Sequence, residues 1–444
     1  MKNPSKIAII GGGIAGIGAA WRLNQKYDIV LYEANRTLGG HARSATINTP
    51  EGPVTVDMGI QGIFLPDYAN VAALFKKYNV ELVSRPLPYG VSISSDAFWG
   101  NLPQNMHLEF WERMKDDVER FRVSLREMIV TRPLVEVGQL SFKDFLQIGG
   151  YSPEFITHVV YPMFAALLLS YDIVSEASTA LIGAIYVDYL DPFPSLTEWS
   201  FVPGTFDRYI KRVTDEFKEK IRLGTNITAV TRLADSVIVE DENGHRESYD
   251  QVVFATPGDV TLSLLSDPTP EETIILQGLK TQPLKVTLHR DESVLSPYFQ
   301  GRPILQFTTR NGDPSQGSFH FDVKQWHGLD SISTPIIESI NADIAPEYVY
   351  ETRYMDIDRV TPQAMYSRLL LQTIQGVNRS WYCGRSVALP SHEEAFISGL
   401  VISEYLGVEY PFADSPQAQK QYAFVKNFVM GEQGKYDGYS PFKE

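Results

Sequence analysis

The stretch Ile7-Ala8-Ile9-Ile10-Gly11-Gly12-Gly13-Ile14-Ala15-Gly16 decides the fold, because a short apolar strand runs directly into a glycine-rich turn. Residues 7–10 have the composition of a fully buried parallel strand. Gly11, Gly13 and Gly16 match G-x-G-x-x-G, whose glycines allow a tight turn, close approach of a pyrophosphate, and close helix–strand packing. The stretch predicts a strand–turn–helix unit that binds a dinucleotide.

A second strand and an acidic residue complete this pattern. Asp28 to Tyr32 is apolar in its centre and ends at Glu33, which lies 22 residues after Gly11. A carboxylate at this distance accepts hydrogen bonds from a ribose 2′-hydroxyl, and it disfavours the 2′-phosphate of NADP. The context therefore supports a true dinucleotide site over an ordinary glycine-rich turn.

Composition and charge exclude several classes of protein. The 444 residues include 39 Lys+Arg and 54 Asp+Glu, a formal net charge of −15, with a single cysteine, Cys383. This is the composition of a folded globular protein, and its acidic balance argues against a nucleic acid partner. One cysteine excludes an intramolecular disulfide and a cysteine-based metal cluster. No HExxH, Walker or nucleophile-elbow motif occurs, so we expect no metal, and a hydrolase or kinase has no support.

No segment predicts export or a membrane span. A cleavable signal peptide would have to include the strand at 7–10 and remove the glycine motif, so we expect a cytoplasmic protein. The most apolar run, Phe155 to Val174, is interrupted by His158, Pro162 and Asp172, which favours a buried helix or a pocket wall. Peripheral contact with a membrane surface and the oligomeric state stay open.

Two segments after Glu33 favour FAD over NAD. The pair Gly39-Gly40 suits a second close approach of the backbone to a diphosphate, with Arg43 as a nearby cation. A strand then ends in Val56-Asp57-Met58-Gly59. The combination E-A-x4-G-G-x-x-R and V-D-x-G resembles the superfamily of flavin-containing amine oxidases, phytoene desaturases and protoporphyrinogen oxidases. It is nearest to a bacterial group of NAD/FAD-binding, amine oxidase-like proteins. The resemblance implies FAD bound in an extended conformation by a two-domain fold.

Later blocks extend the resemblance. Residues 226–257 resemble the return of the chain to the FAD domain, and 375–384 resemble its last strand. Ser391 to Glu394 fits a capping box, so a helix should start there and stabilise the negative charge of a reduced flavin. Gly399 within that helix predicts close packing against a ring system. Arg385 departs from the family, many members of which have an acid at that position.

The resemblance implies cofactor contacts from every one of these blocks. They are Gly11, Gly13, Ile14, Ala15, Gly16, Glu33, Ala34, Gly39, Gly40, His41, Arg43, Gly59, Ile227, Ala255, Thr256, Pro257, Gly384, Arg385, His392, Glu393 and Ala395. Whether FAD is attached covalently, for which His41 is a candidate, stays open.

Two residues are candidates for catalysis beside the flavin. Some amine oxidases of this superfamily place a lysine near the flavin N5 atom on a strand that Lys285 matches; the alternative is a strand-edge lysine that faces solvent. His289 and Asp291 match an LHxD pattern of the nearest group, for which a structural His–Asp hydrogen bond is the alternative to acid–base catalysis.

The middle of the chain indicates a lipophilic substrate. Glu109 to Met128 has the apolar spacing of an amphipathic helix, and Phe155 to Leu190 is rich in apolar and aromatic residues. We interpret the second segment, in part, as a helical cap over the flavin. The apolar segment is followed by a turn at Trp199 to Thr205 and then by the C-terminal FAD strand. This order along the chain is similar to that of flavin-dependent fatty-acid double-bond isomerases.

The predicted fold class is α/β, with a Rossmann-like FAD-binding domain and a discontinuous substrate domain of mixed sheet and helices. We expect residues 1–85, 200–280 and 375–410 in the FAD domain, 86–199 and 281–374 in the substrate domain, and 411–444 in a tail around the surface. The predicted function is removal of a hydride from a C–H or C–N bond of a lipophilic or amine substrate, with oxygen or another electron acceptor. The alternatives are a flavin-dependent double-bond isomerase and a non-catalytic nucleotide-binding scaffold.

Overall fold

The computed structural model describes residues 5–186, 196–309, 311–387 and 390–431. In this part of the chain the strands are β1 (Lys6–Ile10), β2 (Asp28–Glu33), β3 (Ala42–Thr49), β4 (Gly52–Gly59), β5 (Val83–Pro86), β6 (Tyr89–Ser94), β7 (Ala97–Gly100), β8 (Glu198–Phe201), β9 (Ile221–Leu223), β10 (Ile227–Arg232), β11 (Val237–Asp241), β12 (Arg246–Tyr249), β13 (Gln251–Phe254), β14 (Thr281–His289), β15 (Leu305–Thr308), β16 (Ser318–Asp322), β17 (Ile337–Ile340), β18 (Val349–Asp358) and β19 (Ser380–Tyr382).

The α-helices of the same part are α1 (Ile14–Leu23), α2 (Ala69–Lys77), α3 (Leu108–Thr131), α4 (Leu134–Gly138), α5 (Phe142–Ile148), α6 (Pro153–Phe155), α7 (Tyr161–Leu168), α8 (Tyr171–Glu176), α9 (Thr179–Ile185), α10 (Asp207–Thr214), α11 (Gly258–Leu264), α12 (Pro270–Gly278), α13 (Val323–His327), α14 (Pro362–Leu370), α15 (His392–Tyr405) and α16 (Pro416–Met430). None of them is long and apolar enough to cross a membrane.

A five-stranded parallel sheet forms around the glycine motif. Its strand order is β19-β13-β1-β2-β9, and every neighbouring pair is parallel. Ile7, Ala8 and Ile9 of the central strand are fully buried, as the apolar composition predicts. Helix α1 follows the glycine turn directly, so the predicted Rossmann-like arrangement is confirmed.

Gly399 packs helix α15 against helix α1, and the predicted packing against a ring system is wrong. A Cβ atom at Gly399 would lie 2.2 Å from the carbonyl oxygen of Ala15 and 2.9 Å from the amide nitrogen of Ala19. The glycine therefore lets two helix backbones approach each other. The sequence shows that a side chain is excluded here, but it does not show what excludes it.

A second sheet of seven strands carries the other half of the molecule. Its order is β18-β14-β17-β16-β15-β6-β7, with β15 and β6 parallel and the other neighbours antiparallel. Helices α3 and α5 to α9 share one apolar core with this sheet. The mixed sheet with helices agrees with the predicted fold class, while the predicted domain limits remain a proposal.

The two middle segments are helical in the described part of the chain, and each buries apolar side chains. Helix α3 includes the predicted amphipathic helix, and Met114, Phe121 and Leu125 form its buried face. Residues 155–174 are divided among α6, a π-helical turn, α7 and α8. Tyr189 and the rest of 187–195 lie outside the described residues.

Residues 411–431 do not follow the surface as the predicted tail would. Helix α16 occupies most of this range, and its Ala418, Val425 and Val429 are buried in the core that surrounds the parallel sheet. These residues follow helical spacing, which places them on one face. Residues 432–444 of the predicted tail lie outside the described part.

Candidate active site

One cavity of about 1350 Å³ joins the glycine turn of the parallel sheet to the second sheet. A pocket for one small molecule occupies roughly 300–1,000 Å³, so this cavity has room for a dinucleotide together with a substrate. Its walls include the loops after β1, β2, β13 and β19 and residues 58–62 at the end of β4 and just beyond it. They also include residues of α7, α9, α15, α16 and β14 to β18.

The glycines leave a cradle in the first wall. Gly11 has φ +110°, which favours glycine, and a Cβ atom at Gly16 would lie 1.9 Å from the carbonyl oxygen of Gly11. A Cβ atom at Gly13, by contrast, would have no heavy atom closer than the Cα of Gly40, at 3.9 Å. A Cβ atom at Gly40 would lie 3.2 Å from the Cα of Gly13, so the two glycines lie close together on the cavity wall, and side chains at either position would narrow the cavity there. A diphosphate fits this arrangement.

Glu33 lies at the end of β2 beside the cradle. Its Oε2 atom accepts a hydrogen bond from the amide of Gly12 at 2.7 Å, and its Oε1 atom accepts one from the amide of Asn35 at 2.8 Å. The residue is buried and lines the cavity. This is the position that the motif predicts for the acid that binds a ribose.

A cluster of polar and charged side chains lines the cavity next to the pair Gly39-Gly40. The Arg385 guanidinium contacts the Nδ1 atom of His41 and lies 3.3 Å from the carboxylate of Asp358. Burial, and then the Arg385 charge, lower the pKa of His41 to about 3, so the imidazole is neutral. Burial raises the pKa of Asp358, but Arg385 and other partners outweigh this effect and hold it below its ordinary value. Asp358 is therefore a carboxylate that pairs with the Arg385 charge on the cavity wall.

Helix α15 begins at the predicted capping residue. The Ser391 hydroxyl accepts hydrogen bonds from the amides of Glu393 at 3.1 Å and Glu394 at 3.3 Å. His392 lines the cavity and pairs with the Tyr209 hydroxyl at 2.6 Å. The carboxylate of Glu393 points elsewhere, because it accepts hydrogen bonds from the amides of Asn70 and Val71 at the start of α2.

Residues 59–62 connect the cavity to the second sheet through Glu338. The Oε2 atom of Glu338 accepts hydrogen bonds from the Gly59 amide at 2.9 Å and the Gln61 side-chain amide at 3.0 Å. The Trp326 indole donates to the carbonyl of Gln61 at 2.7 Å. Burial raises the pKa of Glu338 to about 7. Glu338 is thus a titratable carboxyl group on the cavity wall.

The part of the cavity against the second sheet is apolar. Its walls come from the end of α7, from α9, and from one face of the sheet. The residues are Ala166, Leu167, Leu168, Leu169, Leu181, Ile185, Val286, Leu305, Phe319, Phe321 and Ile340. A small molecule with a largely apolar body fits such walls.

Most of the predicted cofactor contacts meet at this cavity. The lining includes Gly11, Gly13, Ile14, Ala15, Glu33, Gly39, Gly40, His41, Arg43, Gly59, Ala255, Thr256, Pro257, Gly384, Arg385, His392 and Ala395. Gly16, Ala34, Ile227 and Glu393 are absent from it. Gly16 packs on Gly11, Ala34 is exposed, Ile227 is buried in β10, and Glu393 caps α2.

Neither predicted catalytic residue lines the cavity. The Lys285 side chain is 36% exposed and its Nζ atom lies 4.0 Å from the Asp343 carboxylate. This agrees with the alternative of a strand-edge lysine that faces solvent. Strand β14 turns Val286 to the cavity and therefore turns its neighbour Lys285 away. His289 is fully buried and is bonded to Ser339 at 2.6 Å.

The hydrogen bonds around His289 form a directed chain on the far face of the sheet. The Asp291 amide donates to Nδ1 of His289, so in the neutral ring Nε2 carries the proton and donates to Ser339. The Ser339 hydroxyl then donates to Nδ1 of His320, whose Nε2–H donates to Thr308. This chain gives every ring nitrogen of both buried histidines a partner within the described residues.

Several cavity residues were not identified from the sequence. They include Asn35, Gln61, Glu338, Arg353 and Asp358. Only Glu338 has a local signal, since an acid within the apolar run Ile336-Ile337-Glu338-Ser339-Ile340 indicates either a buried partner or a site.

Comparisons with known proteins agree with this geometry. Residues 9–78 match the model of the NAD(P)-binding Rossmann-like domain. The chain is 24% identical over 195 residues to the carotenoid phi-ring synthase of Chlorobaculum tepidum, covering 40% of this chain and 30% of that protein. It is 23% identical over 312 residues to the (S)-6-hydroxynicotine oxidase of Paenarthrobacter nicotinovorans, covering 63% and 67%. The chain thus spans less than a third of the first relative.

Solved structures share the fold over almost the whole chain. The fatty acid isomerase of P. acnes that produces CLA superposes with a TM-score of 0.67 at 16% identity, covering 90% of this chain and 98% of that one. Cyclohexylamine oxidase of Brevibacterium oxydans gives 0.66 at 16% identity, covering 91% and 99%. A putative protoporphyrinogen oxidase of Exiguobacterium gives 0.61 at 13% identity, covering 90% and 98%.

The predicted resemblance to amine oxidases and protoporphyrinogen oxidases is confirmed at the level of the fold. This chain has a Rossmann-like dinucleotide-binding domain within the fold that amine oxidases, a putative protoporphyrinogen oxidase and a fatty acid isomerase share.

Proposed function

We propose that the protein is an FAD-dependent oxidoreductase that removes a hydride from a C–H or C–N bond of a lipophilic small molecule. The observation that carries this proposal is the continuous cavity of about 1350 Å³, which connects the glycine cradle to the apolar walls. A dinucleotide in the cradle can therefore reach a substrate without leaving the protein interior.

The residues around the cradle fit FAD. Gly13 and Gly40 leave room for the diphosphate, Glu33 is placed for a ribose, and the N-terminus of α15 provides positive potential. A bound flavin would supply the hydride acceptor. The protein would orient the substrate along the apolar walls and exclude water, and burial would keep His41 and His392 neutral beside it.

Gly13→Ala provides a direct test of cofactor binding. The added methyl group would meet no protein atom closer than 3.9 Å, and Gly13 has ordinary backbone angles (φ −72°, ψ 177°), so we expect the fold to persist. The same methyl group would occupy the cradle, and we expect FAD affinity to fall roughly tenfold or more. Equilibrium binding of FAD measures this loss, and circular dichroism with thermal unfolding verifies the fold. A variant that binds FAD like the natural protein would contradict the proposed position of the diphosphate.

Anaerobic titration of the FAD-loaded protein tests the reaction. Amines, unsaturated fatty acids and polyenes are added in turn, and bleaching of the flavin absorbance reports hydride transfer. Recovery in air with formation of peroxide indicates oxygen as the acceptor. A purified protein that is colourless and takes up no FAD would overturn the proposal and favour the nucleotide-binding scaffold.

The second candidate is a flavin-dependent double-bond isomerase. It is favoured by Leu167, Leu168 and Leu169 on the cavity wall and by the shared fold with a fatty acid isomerase. In this case a fatty acid would be converted under anaerobic conditions with no net bleaching and no peroxide. Product analysis by gas chromatography distinguishes the two candidates.

A further inference from the structure

Glu338 introduces a carboxylate into the apolar part of the cavity. It lies on β17 two positions before Ile340, which therefore faces the same side and also lines the cavity, and its exposed fraction is 3%. Across the sheet, Leu288 of β14 and Phe321 of β16 pair with it. A carboxylate in such surroundings is costly unless every oxygen has a partner.

Only one of the two Glu338 oxygens has a partner. The Oε2 atom accepts both hydrogen bonds, from the Gly59 amide and the Gln61 side chain. Within the described residues, Oε1 accepts no hydrogen bond and Glu338 forms no ion pair. Arg353 influences Glu338 from a distance, but it pairs with Glu351 and donates to the Ser44 carbonyl.

The chemistry of the cavity limits which ligand groups can pair with the Oε1 atom of Glu338. A hydrocarbon would leave Oε1 desolvated and unpaired, and an anionic head group would be repelled by the ionised form. A protonated nitrogen would supply both a hydrogen bond and a charge, which is the strongest class of hydrogen bond. Because burial raises the pKa of Glu338 to about 7, the group can ionise near neutral pH when such a partner arrives.

We propose that Glu338 determines the specificity of the cavity by binding the protonated nitrogen of an apolar cation through Oε1. The inference rests on the proposed function, since it assumes that the apolar part of the cavity receives the substrate. It assigns an amine with an apolar body as the substrate class, and it places long-chain carboxylates among the ligands that the cavity rejects.

Glu338→Gln removes the charge and preserves the local structure. The glutamine side-chain oxygen can accept the hydrogen bonds of Gly59 and Gln61, so the loop keeps its attachment to β17. Glu347→Gln is the matched control, because Glu347 is an exposed glutamate near the start of β18 that does not line the cavity.

The probes are three ligands with the same six-carbon chain, namely hexylguanidinium, 1-hexanol and hexanoate. Hexylguanidinium stays charged and lacks the free amine that an oxidase would consume. Binding to the FAD-loaded protein is measured by calorimetry and by the shift of flavin absorbance, at about pH 8 and again at about pH 5.5, on either side of the pKa of about 7. The natural protein should bind hexylguanidinium roughly 10- to 100-fold more tightly than 1-hexanol at the higher pH.

The variant and the lower pH should remove this preference. In Glu338→Gln we expect the ratio of the two affinities to fall to within about threefold of one, while 1-hexanol binds as before. Glu347→Gln should keep the full preference, and protonation near pH 5.5 should weaken it in the natural protein. Hexanoate should bind the natural protein most weakly at the higher pH.

Three outcomes would overturn the inference: a cation preference that survives in Glu338→Gln, equal binding of cation and alcohol by the natural protein, or no binding of any probe. The flavin content of each preparation separates these outcomes from a failure of the proposed function. A yellow protein without cation preference refutes the role of Glu338 alone, whereas a protein that takes up no FAD refutes the flavoenzyme.

Discussion

The two faces of strand β17 carry buried polar groups that are partnered in different ways. Glu338 faces the cavity and has one carboxylate oxygen without a protein partner in the described chain. Its neighbour Ser339 faces the other way and is shared by His289 and His320, each at 2.6 Å. On one face of the strand, Ser339 belongs to a chain of hydrogen bonds in which every group has a partner. On the other face, the adjacent Glu338 has an oxygen atom that accepts no hydrogen bond from the described residues.

The difference separates structural from functional polar groups. Buried polar groups are usually satisfied within the protein, and those of the far face follow this rule from Asp291 to Thr308. A buried group with unused capacity on a cavity wall is instead available to a ligand. The two faces should therefore respond differently to substitution and to pH.

The largest effect on stability is expected from a substitution of His320, on the face of the sheet opposite the cavity. His320→Ala would remove the ring that links Ser339 to Thr308 and would leave the buried Ser339 hydroxyl and the partly buried Thr308 hydroxyl with fewer partners. We expect the free energy of unfolding to fall by about 3–5 kcal/mol, from the lost packing and the unpaired groups together. Urea denaturation measures this loss. An unchanged denaturation midpoint would show that the hydrogen-bonded chain contributes nothing to stability.

The cavity face should lose stability as the pH rises. The folded pKa of Glu338, about 7, lies above its ordinary value of 4.5, so the folded state holds more protons than the unfolded state between these values. Its contribution is present below about pH 4.5 and is lost by about pH 7, a change of roughly 3 kcal/mol. Glu338→Gln should lack this change. Unfolding free energies of both proteins across this pH range test the sign, and parallel pH profiles would contradict it.

The far face should respond to pH in the opposite direction. Burial lowers the pKa of His289 from 6.5 to about 4, so the unfolded state holds more protons in this window. Stability should therefore be lost as the pH falls from about 6.5 to 4, by up to roughly 3 kcal/mol. Subtracting the profile of His289→Gln isolates this contribution. A difference that grows toward high pH would contradict the assigned neutral tautomer.

The smallest effect is expected at Lys285. Its side chain is 36% exposed, and its ion pair with Asp343 spans 4.0 Å. Exposed pairs of this kind contribute about 0–1 kcal/mol, so Lys285→Ala should leave stability nearly unchanged. We also expect the rate of flavin reduction to stay within about twofold, because the residue does not line the cavity. A large fall in that rate would restore the predicted catalytic role.

What the sequence reveals depends on whether the relevant contacts are local. The turn at Gly11 to Gly16 and the cap at Ser391 are each defined by a few consecutive residues, and both are found where their patterns predict them. The partners of Glu338 are Gly59 and Gln61, 279 and 277 positions away, and no local pattern identifies them.

The two catalytic candidates, which do not line the cavity, show a related limit. The sequence predicts the strand around Lys285 correctly, as β14. It does not show which alternate residues of that strand face the cavity, and a shift of one position reverses the two faces. Only the pairing of β14 with β17 and β18 resolves this, and it places Val286 on the cavity wall.

The order of the parallel sheet has a consequence for the synthesis of the protein. Its central strand β1 is made before its partner β13, which begins at Gln251, and the sheet is completed only by β19 at Ser380. Until the ribosome has released those segments, the edge of β1 that pairs with β13 has no partner, and the face of α1 that packs on α15 is also uncovered. The nascent chain thus exposes an unpaired strand edge and an apolar helix face while the segments between β1 and β19 are made, and chaperones that shield such surfaces should affect its yield.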